Sequence, residues 1–266
     1  INVTNEQMVA IIPEVIKQVE TYDTTTIRAS VPNYLLGKYI KENTDFKVIL
    51  GGDGADELMG GTPKCRAHTP LPVLAAMFRH LAEAASIPVA AHLDHSTSLQ
   101  ECKEAIDCGF TSVMFDGSRL PLRENIDNTA AVATLAASAG VSTEGEIGFV
   151  GYDAGENSAN TDPQEAAKFA NETAIDAMAI SVGNEHLQEC QKGQISVPAI
   201  RAIEAVTDVP LVIHGGSGVP TEIKRQLARD TNVCKFNVGT ELRMQFGTVL
   251  RDILANDIEC FDRCEI

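Results

Sequence analysis

Three histidines each close an apolar run: His95 in IPVAAHLDHS, His186 in AMAISVGNEH and His214 in VPLVIHGGSG. Runs of this length, rich in Val, Ile, Leu and Ala and ended by Gly or polar residues, read as buried parallel strands. Parallel strands joined by helices deliver their C-terminal ends to one face, where α/β proteins place chemistry. Neutral imidazole is the commonest zinc ligand type, and three protein ligands with one open position make a catalytic zinc site. Asp94, the neighbour of His95, would then lie beside the metal. Successive side chains on a strand point to opposite faces. Asp94 and His95 therefore meet only where the strand ends and the backbone bends, and Ser96-Thr97-Ser98 suits such an exit. His92 shares a face with Asp94, either as a group that orients a ligand or as a packed side chain. His68 and His80 stand in no motif and are expected at the surface.

Two glycine-rich turns complete the candidate chemistry. HGGSG supplies Gly215, Gly216, Ser217 and Gly218 just before a helix, and NVGT supplies Asn237, Gly239 and Thr240 at the head of the last one. Backbone N–H groups at helix N-termini bind phosphate, and small residues let the ligand approach.

The elements that must position these residues alternate from about residue 86 onward. Val89–Leu93 reads as a strand. The next helix is capped by a box from Ser98 to Glu101, shows an apolar face of Leu99, Cys102 and Ile106, and stops at Gly109. A later helix closes at Gly140, and another opens with Asp162 as cap, Pro163 in the first turn and Glu165 as box partner. VSTEGEIGF is a shorter, more polar strand that opens into a loop rich in Gly and Asn, from Val150 to Thr161. Six β-α units result, which suit either an open doubly wound sheet or most of a closed barrel. Closure needs two more strands, for which Val48–Gly52 and Ile1–Val3 are candidates. Thr4 would cap a helix carrying Met8, Ile11, Ile12, Val15, Ile16 and Val19, with a kink at Pro13. The expected fold is α/β, a (β/α)8 TIM barrel formed as one domain over residues 1–266 and irregular in its first two units.

Composition narrows the partners. A chain of 266 residues with formal charge −16 excludes nucleic acid and anionic membrane surfaces. No apolar stretch approaches the roughly 18 residues a membrane span needs, and no leader pattern opens the sequence. Seven scattered cysteines without a C-x-x-C pair fit a reduced, cytoplasmic setting, with Cys102 and Cys234 in core-like places.

Residues from about 63 to 266 resemble the class II, zinc-dependent ketose-bisphosphate aldolases, which act on fructose and tagatose bisphosphates. The likeness runs through HLDHS at 92–96, SVMFDGSRLPLRENI at 112–126, VSTEGEIGFVG at 141–151, VGNEH at 182–186, HGGSG at 214–218 and KFNVGTEL at 235–242. It implies aldol cleavage of a ketose 1,6-bisphosphate to dihydroxyacetone phosphate and glyceraldehyde 3-phosphate. It implies zinc on His95, His186 and His214, with Glu146 as a carboxylate near the metal and a monovalent cation as a further candidate. Asp94 becomes the general acid/base, and Glu156 the carboxylate that exchanges the C3 proton. Gly215, Ser217, Asn237, Gly239 and Thr240 become binders of the small phosphorylated sugar, and a homo-oligomer is expected. Leu187 departs from the family pattern, which has a glycine after the second histidine. Residues from about 14 to 61 are similar instead to a fragment of asparagine synthetases, with Gly51, Gly52, Asp53 and Gly54 at a loop of that family. The chain therefore reads as a hybrid. Two alternatives follow: an inactive aldolase-like protein, and an ATP-dependent amide ligase working through the loop from Gly51 to Glu57.

Overall fold

Six short segments form parallel strands joined by helices, in a computed structural model that describes residues 10–13, 15, 66, 69–151, 158–188 and 193–257. In chain order the elements are α1 (Leu71–Ala84), β1 (His92–Ser96), α2 (Leu99–Cys108), β2 (Ser112–Phe115), α3 (Leu122–Ala139) and β3 (Ser142–Ile147). They continue with α4 (Pro163–Thr173), β4 (Ala177–Ile180), α5 (Val197–Glu204), β5 (Leu211–Ile213), a 3-10 turn (Gly216–Gly218), α6 (Thr221–Asp230), β6 (Val233–Phe236) and α7 (Thr240–Asn256).

The chain forms two compact units. One comprises Ile1–Ile49, Arg79–Ala90 and Gln245–Ile266; the other, Leu50–Phe78 with Ala91–Met244, contains the whole sheet. In the first, residues 10–13 and 15 are helical and Val15 is fully buried, as the pattern from Met8 to Val19 predicts. The candidate strands at 1–3 and 48–52 lie outside the described residues.

Within the second unit the strand order is β1-β2-β3-β4-β5-β6, every pair parallel. A doubly wound sheet reverses direction at a switch point. This order has no reversal, so the winding is that of a barrel. Curl follows from contacts between distant strands. Lys235 Nζ on β6 lies 3.3 Å from His92 Nε2 on β1, whereas five strand spacings in a flat sheet would separate them by ~24 Å.

Curling gives the sheet an outer and an inner face. Outward side chains pack against helices in two apolar clusters. Ile147, Met178, Ile180, Leu211 and Ile213 meet Phe169, Ile200 and Leu227, while Leu93, Val113 and Phe115 meet Leu74, Phe78 and Val132. Each fully buried side chain of this size contributes roughly 1.5–3 kcal/mol. Among the described residues the inward apolar group is small: Met114, Ala179 and Val212. Register adds polar residues to it: Met114 pairs with Glu144, Glu146 with Ala179 and Val212 with Lys235. The interior is therefore charged where strands carry Glu144, Glu146 and Lys235, all buried.

Local signals set the helix ends. Ser98 Oγ accepts from Glu101 N at 3.3 Å, and Gly109 ends α2 at φ 97°, a left-handed value that suits a residue without Cβ. Asp162 caps α4 through the N–H groups of Gln164 and Glu165, with Pro163 first in the helix. Two expectations are corrected. Leu99 is exposed, because α2 turns Cys102 and Ala105 to the core instead. Cys234 is exposed as well, between Val233, which packs in the first apolar cluster, and the buried Lys235, where the ladder with β5 is irregular. His80 is exposed as expected, and His68 lies outside the described residues. Among the described residues no helix is long and apolar enough to cross a membrane.

Candidate functional site

β1 carries the first part of the site, and its backbone bends there. The ladder with β2 shifts between Leu93 and Ser96, and His95 takes φ 49° in the left-handed region. Such a bulge re-aims a side chain. Here it turns His95 to the same side as Asp94, whose Oδ2 lies 4.0 Å from His95 Nε2. The strand runs three residues past Leu93 because the bulge absorbs the polar stretch.

His214 follows β5 directly, and Gly215 turns the chain away at φ 64°. A Cβ on Gly215 would stand 2.1 Å from the Glu185 carbonyl oxygen, so this close approach to the segment after β4 that carries His186 requires glycine. His186 itself is placed by its N–H, which donates to the Gly151 carbonyl at 2.8 Å. The next residue, Leu187, sits at φ 61° with its side chain exposed.

The three imidazoles converge. Ring centroids lie 4.5 Å apart for His95 and His214, 5.3 Å for His95 and His186, and 5.9 Å for His186 and His214. One nitrogen from each lies within 4.8 Å of the others. His95 Nε2 and His214 Nδ1 are 2.9 Å apart, close to the ~3.3 Å expected for two nitrogens on one tetrahedral zinc. Their other nitrogens are occupied: His95 Nδ1 by Asp116 Oδ2 at 2.8 Å and His214 Nε2 by Glu144 Oε1 at 2.9 Å. A carboxylate behind each ring fixes the tautomer and leaves the facing nitrogen for a metal. The donor set fits zinc.

Charge in this interior is organised around two carboxylates. Burial alone would raise the Glu144 carboxyl, but the Lys235 ammonium 2.6 Å away and the His214 hydrogen bond hold it well below the usual carboxylate range. Burial would likewise raise Asp94, and the positive charge shared by His95 and His214 outweighs it. For His95 burial acts downward, yet Asp94, Asp116 and Glu146 carry it well above the ordinary histidine value. His214 is lowered by burial and by His95. Protonated His95 therefore donates Nε2–H to His214 Nδ1, and neutral His214 donates Nε2–H to Glu144. Burial, with His214 adding to it, lowers His186 to about 3. Burial and Lys235 lower His92 to about 4; its Nδ1 meets Ser112 Oγ at 2.8 Å.

Glu146 stands behind this cluster. Its Oε2 is 3.7 Å from the His95 nitrogen that faces Asp116, and with these two it forms a second group of clustered ligand atoms. Burial, with Asp116 beside it, pushes its carboxyl up to about 8. Asn237 reaches the cluster from the turn after β6: its Nδ2 donates to Asp94 Oδ1 at 3.3 Å. Asp94 Oδ2, Asn237 Oδ1 and Glu146 Oε2 are buried without a hydrogen-bond partner. Ser217 Oγ accepts from Gly239 N and Glu241 N, both at 3.1 Å, which ties the HGGSG turn to the head of α7 beside Thr240. Glu156 and Asp153 lie outside the described residues.

Asp116, Glu144 and Lys235 were not singled out from the sequence. A usable signal existed in Thr143-Glu144-Gly145-Glu146, where alternation puts both acids on one face of a strand.

Residues 53–264 match the family model described as fructose-bisphosphate aldolase class-II. The fructose-bisphosphate aldolase of Geobacillus stearothermophilus is 38% identical over 223 residues, covering 81% of this chain and 74% of that protein. That of Staphylococcus aureus (strain Mu50 / ATCC 700699) is 35% identical over 254 residues, covering 89% and 86%. The crystal structure of the YdjI aldolase from Escherichia coli K12 shares the fold, with a TM-score of 0.68 at 24% identity over 87% of this chain and 88% of that one. Residues 63–266 are little more than three quarters of the chain, so a match over 89% reaches into the front segment. Nothing among these matches supports an asparagine synthetase fragment at 14–61, or the amide ligase reading built on it. An apolar β-branched run followed by small residues, as in KVILGG, is what any strand entering a tight turn needs, so it discriminates poorly between families. The convergent imidazoles, the barrel winding and the extent of these matches lead to one assignment: the chain belongs to the class II fructose-bisphosphate aldolases, which are zinc-dependent lyases.

Proposed function

We propose that this chain cleaves fructose 1,6-bisphosphate reversibly to dihydroxyacetone phosphate and glyceraldehyde 3-phosphate, with zinc held by His95, His186 and His214. The observation that carries the reading is the convergence of three imidazole nitrogens, within 4.8 Å of one another, beside the buried Asp94. When bound, zinc supplies the Lewis acidity that polarises the C2 carbonyl of the ketose.

Asp94 accepts the proton of the C4 hydroxyl as the C3–C4 bond breaks, and the electron pair of that bond moves onto C3 and into the C2 carbonyl. Its ionised state suits a base, and the Asn237 amide on Oδ1 orients the carboxylate so that Oδ2 meets the substrate. Asp116 and Glu144 hold His95 and His214 in the tautomers that turn lone pairs toward the metal. Glu146, with its carboxyl raised, backs His95 rather than joining the three nitrogens. Glu156 returns a proton to C3. Gly215, Ser217, Gly239 and Thr240 offer the substrate phosphate a rim of small residues at a helix N-terminus.

The test is a zinc titration with cleavage coupled to triose-phosphate detection. Asp94→Ala keeps zinc and loses kcat by roughly 10²–10⁴-fold, and His214→Ala loses zinc and activity together. Unchanged kcat in Asp94→Ala, or full zinc affinity in His214→Ala, overturns the roles.

A further inference from the structure

We infer that Arg66 is a positioning residue whose guanidinium braces the β1 bulge and so aims Asp94 and His95 at one point. The inference rests on the roles given to those two residues above.

A bulge interrupts a ladder and leaves backbone groups in need of other partners. Here the ladder passes over Asp94 and His95. The His95 N–H donates to Met114 Sδ at 3.4 Å, a weak acceptor. The Asp94 carbonyl is served by a side chain instead: Arg66 Nη1 donates to it at 2.8 Å. The same guanidinium forks onto Glu101, Nε to Oε1 at 2.8 Å and Nη2 to Oε2 at 3.0 Å. Glu101 Oε2 also accepts from Ser96 Oγ at 2.6 Å. Both ends of the bulge are therefore tied to one ion pair, Asp94 through Arg66 and Ser96 through Glu101.

This arrangement explains why the capping box at Ser98 is half formed. Ser98 Oγ accepts from Glu101 N, while the Glu101 carboxylate turns to Arg66 and Ser96 instead of the Ser98 N–H. The Arg66 side chain is 7% exposed and that of Glu101 30%, so the pair is partly shielded from the screening that weakens surface ion pairs. Three nitrogens of one planar group hold two partners at once, a carboxylate through a fork and a carbonyl through the third, which a lysine ammonium on a flexible stem cannot reproduce. Arg66 touches neither of the reacting groups. It acts through the backbone between them.

The experiment compares unaltered protein with Arg66→Ala and Arg66→Lys, reading zinc affinity by chelator competition, kcat and KM separately, and recovery in millimolar guanidinium. Zinc affinity and kcat fall by about tenfold or more in Arg66→Ala, the scale for groups that orient metal ligands, with KM little changed. Guanidinium restores part of kcat to Arg66→Ala and none to Asp94→Ala. Arg66→Lys, which keeps the charge, stays impaired. Native zinc affinity and native kcat per folded molecule in both variants, even with reduced thermal stability, overturn the inference. If Arg66→Ala fails to fold, Arg66→Lys decides by the same two readouts. Zinc affinity reads the brace independently of the substrate, so failure of the unaltered enzyme to cleave the sugar would count against the proposed function alone.

Discussion

Removing Lys235 separates two jobs that Glu144 performs. Lys235 Nζ and Glu144 Oε2 are 2.6 Å apart, with side chains 2% and 3% exposed. In Lys235→Met the carboxylate is left buried without its ammonium, and breaking such a pair costs about 3–5 kcal/mol. Glu144 then takes up a proton more readily, its hold on His214 Nε2–H weakens, and zinc affinity falls by roughly 10–100-fold. The double variant Lys235→Met/Glu144→Leu removes both charges, and an apolar pair of similar volume recovers most of the lost stability. It does not restore an acceptor for His214, so zinc affinity stays low. Urea denaturation of the metal-free proteins measures the first quantity, and chelator competition the second. Recovery of native zinc affinity in the double variant would refute the orienting role of Glu144. A Lys235→Met protein as stable as the unaltered one would refute the energetic argument.

Zinc uptake should depend on pH with a definite sign. The His95 value is raised in the metal-free site, so below that value one proton lies between His95 and His214 and the metal must displace it. Affinity then weakens about tenfold for each unit the pH falls, and calorimetry in buffers of different ionisation enthalpy registers release of about one proton; a flat profile would contradict this. Leu187→Gly should stabilise the protein. The left-handed conformation at φ 61° costs a residue with a Cβ roughly 1–2 kcal/mol, and the larger chain entropy of glycine offsets up to about 1 kcal/mol of that. A net gain of about 0.5–1 kcal/mol in thermal unfolding is expected, and a loss would show that the exposed side chain makes compensating contacts.

The parts of this molecule legible in its sequence are those where one residue type has one use. Histidine after an apolar run, followed by glycine, marked His214. The Asp162-Pro163-Glu165 start and the Gly109 and Gly140 stops marked helix ends, because caps depend only on neighbouring residues. Glu144 and Lys235 were missed for the opposite reason. A charged residue in a strand ordinarily marks a solvated face, and only curling of the sheet brings these two together across 91 positions of chain. Asp116 was missed because its partner, His95, is 21 residues away on a neighbouring strand. Leu99 fitted helical periodicity, but the arc of α2 that faces the core is narrower than the arc its apolar residues span. The choice between open sheet and barrel was not legible either. It depends on strand order, a property of pairing rather than of any one segment.

The contacts that join β1 to the far end of the sheet span 119 and 143 residues. A nascent chain that has emerged only as far as β4 therefore holds the first imidazole with nothing opposite it. Loading of the ion becomes a late event, after the costly closure of long loops that slows folding in topologies of this kind. A chain that has emerged only as far as β4 lacks two of the three imidazoles and cannot complete this centre.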